Sequence, residues 1–280
     1  MKTYIIEFND RCKDVQEYLL LLEFMDSIAT NKRKPLENEA NDGSIISYTL
    51  SRETQKILRA NFYLLLYNLI EATTNSIITV VKDTINDEGV TLDRLVTRLV
   101  HLHIEGLYKE VTSSSRIVEI SKDLYKKAAK NEIVLLEKLG FNTSGNVDYD
   151  FFQKIVGAIG CRGTLSIDEQ LVKDAMKRTK EHRNKLAHGN WSFSSAGTCL
   201  TLSQIKIDYN EVVDFLRQSL NNVERYLDNK KYLKCQTSVI TKNSEENVTS
   251  MHPNVFNNGS VFIHKPCSIK NVGCGGLWYL

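Results

Sequence analysis

The chain has 280 residues, of which 42% are hydrophobic and 25% charged, with a formal net charge of +2. That length can bury a sizeable core in one domain, or in one domain plus an appendage. The charge excludes a protein that coats nucleic acid over a broad basic surface, so any nucleic-acid contact is expected to be local, in a cleft.

With only 3 Pro and 14 Gly, the composition favours long uninterrupted helices over a loop-rich or β-sandwich fold. No apolar run reaches the ~18–20 residues that span a bilayer without a polar interruption. The N-terminal stretch Met1 to Arg11 lacks the apolar centre and cleavage site of a signal peptide. The expectation is a cytoplasmic protein with no membrane contact, whose six cysteines stay reduced. Residue types also suggest no cofactor and no metal. Cys12, Cys161, Cys199 and Cys235 are scattered, and His264, Cys267 and Cys274 match no zinc spacing.

In chain order, residues 11–29 carry Val15, Tyr18, Leu19, Leu22 and Met25 on one helical stripe. Residues 30–43 hold Pro35, several charges and Asn41-Asp42-Gly43, and read as a loop. Ser51 is suited to cap a long helix that runs through the aromatic-rich segment 61–71 to about residue 86. Thr91 is expected to open a helix to Tyr108, and the serines 113–115 precede another over 117–139 that Gly140 closes. Asp148 is expected to cap a short helix to Ile159, before the break at Gly160-Cys161-Arg162-Gly163. Ser166-Ile167-Asp168-Glu169 has the form of a capping box that starts a helix over 167–188. Residues 191–193 and 199–202 alternate weakly, as a small β-hairpin would. Asp208 to Glu211 resembles a second capping box, leading a last amphipathic helix to about Tyr232. This predicts an all-α helical bundle over 1–235, with a small β-hairpin before the last helix. Residues 236–280 then form an irregular tail, poor in charge and without helical period.

The most informative segment is Arg183-Asn184-Lys185-Leu186-Ala187-His188, followed by Gly189. It gathers a guanidinium, an amide and an imidazole in the last turns of a basic helix. Those groups can grip a phosphodiester and move a proton beside it. A looser R-x4-H pattern recurs at Arg98 to His103, and R-x6-H at Arg94 to His101. The Arg98 copy lies on a stripe of Leu95, Val96, Leu99, Val100 and Leu102, so its histidines read as core-edge residues of a packed helix. The stricter R-N-x-x-x-H occurs once. On a regular helix Arg183 and His188, five apart, lie about 140° around the axis, whereas Asn184 and His188 share a face.

This hexapeptide, with its neighbours Glu181 to Gly189 and the apolar helix 61–71, resembles the signature of the HEPN superfamily, and within it the MAE-type HEPN-like nucleases. The likeness covers roughly the first 230 residues. It implies a helical domain, metal-independent endoribonuclease activity, and a toxin or effector role in bacterial defence or a toxin–antitoxin system. It also implies a homodimer in which two motif helices meet and build one composite cleft, and a possible antitoxin or defence partner protein.

RNA carries its own nucleophile, the 2′-hydroxyl, so cleavage needs a base, an acid and a cation for the crowded phosphorus, but no metal. Arg183 suits the phosphate. The negative end of the helix dipole suits a cation at His188, which points to a general acid or a stabiliser of the leaving oxygen. Asn184 lies on the His188 face. Lys180 and Lys185 could hold flanking phosphates, or could be solvent-facing charges of an amphipathic helix. Glu71 ends the aromatic segment and needs a partner there. It matches the polar residue that HEPN domains often carry on an early helix facing the motif, or is an ordinary edge-of-core carboxylate. The competing reading is a non-catalytic HEPN scaffold or RNA-binding module. A DNA-directed nuclease is disfavoured, because no paired carboxylates with metal spacing stand out.

Overall fold

A computed structural model describes residues 2–30, 35–109, 111, 113–141 and 146–235. The tail 236–280, with His264, Cys267 and Cys274, lies outside the described residues. Residues Met1–Gln236 make one unit. Among the described residues it contains eight helices and one two-stranded antiparallel hairpin, in keeping with the expected all-α bundle.

The first helix, α1 (Thr3–Thr30), starts earlier than the stripe at 15–25 suggested. Tyr4, Phe8, Cys12, Val15, Leu19 and Leu22 are buried at three- and four-residue spacing, so a single face of α1 is driven onto the core. The hairpin follows at once: β1 (Leu36–Glu39) and β2 (Ile45–Tyr48). Its turn is the Asn41-Asp42-Gly43 segment read as a loop; Gly43 takes the positive φ of 78° that the tight turn demands. The hairpin expected at 191–202 is not there. Phe193–Ala196 forms a helical turn, α7, capped by the Ser192 hydroxyl, and packs on the long second helix.

That second helix, α2 (Arg52–Asp87), has the expected Ser51 cap, whose oxygen accepts the Thr54 amide. It is the axis of the domain and packs against α1, α6 (Glu169–Ala187), α7 and α8 (Leu202–Asp228). Phe62, Tyr63, Leu66, Leu69, Ile70, Ile77, Val81 and Ile85 are buried along it. By length and composition α2 could cross a membrane, at mean hydropathy 1.3 over 18 residues. Its apolar stretch is interrupted by Asn68 and Glu71, as the sequence showed, and here its apolar side chains fill a core.

Two boundaries, the start of α3 and the end of α4, differ from the sequence reading because of distant backbone partners. Residues 91–96 do not join α3 (Thr97–Tyr108). Thr91 and Leu95 instead bridge Ile133 and Leu233, and the Val96 amide bonds the Tyr232 carbonyl. Helix α4 is Ser114–Ala129, not 117–139, with the Ser113 hydroxyl as its cap. Beyond it the chain is extended: Val134 and Leu136 are buried while Ile133 and Leu135 face outward, a strand-like alternation. The Asn86 amide grips both backbone groups of Leu136. Helix α5 (Tyr149–Ile159) has the expected Asp148 cap and ends at left-handed Gly160.

Candidate functional site

Helix α6 begins at the Asp168 cap, not at Ser166. The Asp168 carboxylate accepts the Gln170 and Leu171 amides, while the Ser166 amide donates to Gln218 on α8. The helix stays regular through Ala187, and its end is a Schellman motif. Gly189, at φ 69°, donates to Leu186, and Asn190 donates to Lys185. His188 is therefore the C-cap residue, exposed, at φ −90° and ψ 5°.

The motif residues fall on two sides of α6. On one side, the half-buried Arg183 lays its guanidinium over the Tyr67 ring, 4.8 Å from the centroid, and donates to the Asn184 amide oxygen at 2.9 Å. Asn184 donates in turn to Asn146 at 3.4 Å. The Tyr67 hydroxyl accepts the Val147 amide at 3.0 Å. Burial pushes that phenol up, Glu71 adds to the rise, and Arg183 opposes it. Glu71, four residues after Tyr67 and half-buried, lies on the same face of α2 as Tyr67. It also lines an open groove of about 750 Å³ between α1 and α2, with Arg11, Asn68 and Asn75. Lys180 reaches Asp148 at 2.5 Å, joining α6 to the start of α5. Burial alone would raise the Asp148 carboxyl, but the Lys180 ammonium and the Phe151 amide together hold it low.

On the other side, Lys185 places its ammonium 3.8 Å from the centre of the Trp191 ring. Trp191 meets His182 edge-on at 5.5 Å, and His182 stacks on Tyr63 at 4.7 Å. Burial lowers the His182 pKa, as do the charges of Lys185 and Arg178. Beneath lies Asp208, wholly buried. It accepts the Tyr63 hydroxyl at 2.7 Å, Arg178 at 2.8 and 3.2 Å, and Gln204 at 2.9 Å. Asp208 is thus no helix cap: α8 starts at Leu202 with Thr201 as its cap, and Asp208 is the buried anion that ties α2, α6 and α8 together.

The structure thus brings Arg183, Asn184, Glu71 and Lys180 to the Tyr67 side, puts Lys185 on the Trp191 side, and leaves His188 at the exposed end between them. Tyr67, Asn146, His182, Trp191 and the Asp208 cluster were not singled out from the sequence as site residues. One signal for them was present: Tyr63, Tyr67 and Glu71 recur every four residues on α2, as do Arg178 and His182 on α6, which makes each set a single face. The decoy copy is core. His103 is buried with its Nδ1 unpartnered, and burial lowers its pKa, while Arg98 packs against Gly160.

No curated protein and no solved structure matches the chain. Residues 2–232 match the family described as HEPN_MAE_28990-like HEPN. With the motif closing α6 and the helical core around α2, the chain belongs to that HEPN family.

Proposed function

We propose that the protein is a metal-independent endoribonuclease that cuts RNA by attack of the 2′-hydroxyl. The observation that carries this is the arrangement of the motif: Arg183 is held on Tyr67 and Asn184, while His188 stands exposed at the capped helix end. In the reaction the 2′-oxygen bonds to phosphorus and the P–O5′ bond breaks. Arg183 neutralises the charge that gathers on the phosphoryl oxygens. His188 gives its proton to the departing 5′-oxygen, and a base takes the 2′-proton. We assign that base to Glu71, one turn along α2 from Tyr67. The products are a 2′,3′-cyclic phosphate and a 5′-hydroxyl.

Arg183 and His188 leave α6 about 140° apart. A second copy of the motif helix across a two-fold axis would place both groups on one phosphate, so the reading includes a homodimer. A toxin or defence effector restrained by a partner protein fits such an activity. The second reading, a non-catalytic RNA-binding or scaffold module, has one point in its favour: Arg183, Lys180 and Lys185 each already engage a neighbour within the chain.

One experiment separates them. The full chain and its His188→Ala and Arg183→Ala variants are incubated with total RNA in excess EDTA, and product ends are mapped. The expected result is cleavage with cyclic-phosphate ends, lowered about 10²–10⁴-fold in each variant. Strict dependence on added Mg²⁺ or Mn²⁺, or equal activity in the variants, would overturn the mechanism.

A further inference from the structure

Trp191 is placed with unusual care for a surface residue. Its backbone amide donates to the Lys185 carbonyl, which also accepts from Asn190. The ring packs inward on the small cluster of Ala60, Leu186 and Ala196 and meets His182 edge-on. Yet it stays partly exposed, and Phe193, two residues on, is 37% exposed. An indole whose task was only to fill space would gain more from complete burial. The Lys185 ammonium over its ring is a cation–π contact that an aromatic ligand can displace. Lys185 and His188, three apart across the last turn, are surface neighbours. Indole, ammonium and imidazole therefore form one patch at the end of α6.

We infer that Trp191, with Lys185, is a nucleobase-stacking subsite for a nucleotide that flanks the phosphodiester at the Arg183–His188 motif. This rests on RNA being the substrate of that motif. The base stacks on the indole face that Lys185 now covers, and the released ammonium pairs with the adjacent phosphate. Every base has a π-face, so the subsite tolerates sequence. The pinned backbone of 189–191 means that little ordering is needed on binding.

The test uses the full chain with Trp278→Phe, which leaves Trp191 as the only indole of the two in the sequence. A mixed-sequence 2′-O-methyl oligonucleotide with a fluorescent end label is titrated; label anisotropy gives Kd in every variant, Trp191 fluorescence reports stacking where the indole is present, and the ligand lacks the nucleophile, so binding is read apart from cleavage. Expected are saturable quenching and a Kd raised about tenfold, equal to ~1.4 kcal/mol, in Trp191→Ala. Trp191→Phe keeps a stacking ring and the inner packing, and should stay within about threefold of the parent. Lys185→Gln should reduce the slope of log Kd against log salt by about one. Absence of binding, binding without quenching, or an unchanged Kd in Trp191→Ala would each overturn the subsite. A protein that binds and quenches but never cleaves RNA would sink the nuclease reading and leave the subsite standing. Efficient cleavage with an unchanged KM in Trp191→Ala would do the opposite.

Discussion

Replacing Asp208 by Ala should be among the most damaging single changes in the helical domain. The carboxylate has no solvent exposure and receives the Tyr63 hydroxyl, two Arg178 nitrogens and the Gln204 amide. Its loss orphans the Tyr63 hydroxyl inside the core, a cost of about 1–3 kcal/mol. Breaking a fully buried ion pair costs about 3–5 kcal/mol, but the Arg178 side chain is 35% exposed and can turn to water, which trims that figure. A net loss of ~3 kcal/mol follows, worth roughly 6–12 °C in Tm for a domain of this size. Thermal melts by circular dichroism measure it directly, with urea titration as a check on the midpoint. Tyr63→Phe removes one donor and should cost about 1–2 kcal/mol. In Asp208→Ala it should cost less, because the hydroxyl has already lost its acceptor. A Tm for Asp208→Ala within about 2 °C of the parent, under 1 kcal/mol on the same scale, would refute the view that this anion ties α2, α6 and α8.

Acidification should destabilise the domain before its carboxylates titrate. Burial lowers the pKa of both His103 and His182, so below about pH 6.5 the unfolded chain binds protons that the folded one refuses. Stability present above that pH is lost as pH falls towards the folded values. Tm should drop from pH 7.5 to 5.5, less so in His103→Leu; a rise on acidification contradicts the argument. Asp148 and Glu88, held low in the fold, contribute losses only at more acid pH. Glu71→Gln should lower cleavage about 10²-fold or more with little change in Tm if it acts as the base; full activity would reduce it to a helix-face carboxylate. His103→Ala, in the decoy copy, should reduce stability but leave the rate per folded molecule unchanged, and a loss equal to that of His188→Ala would place the site at the Arg98–His103 copy instead. Mixing Arg183→Ala with His188→Ala chains should restore part of the activity if two motifs share a cleft, and light scattering that shows an active monomer would remove the dimer.

The sequence by itself determined what depends on near neighbours. Ser51, Ser113 and Asp148 cap their helices because a side-chain oxygen reaches an amide three residues on. Gly160 and Gly189 end theirs at positive φ because only glycine takes that conformation at no cost. The R-N-x-x-x-H hexapeptide and its place at a helix end were legible for the same reason. Tertiary structure decided the rest. The chain over 133–140 is extended because Val90, Asn86 and Leu102 supply its bonding partners, and no local pattern announces partners some 40–50 residues away. Asp208 has the spacing of a cap but is buried inside α8, because Arg178 and Tyr63 come to it from two other helices. Arg183 rests on Tyr67 and Lys185 on Trp191 only once α2 and the 189–191 turn have packed against α6. Hydrogen bonds within a few residues are written in spacing, whereas the partner of a long, charged side chain is set by which helices the core has brought together.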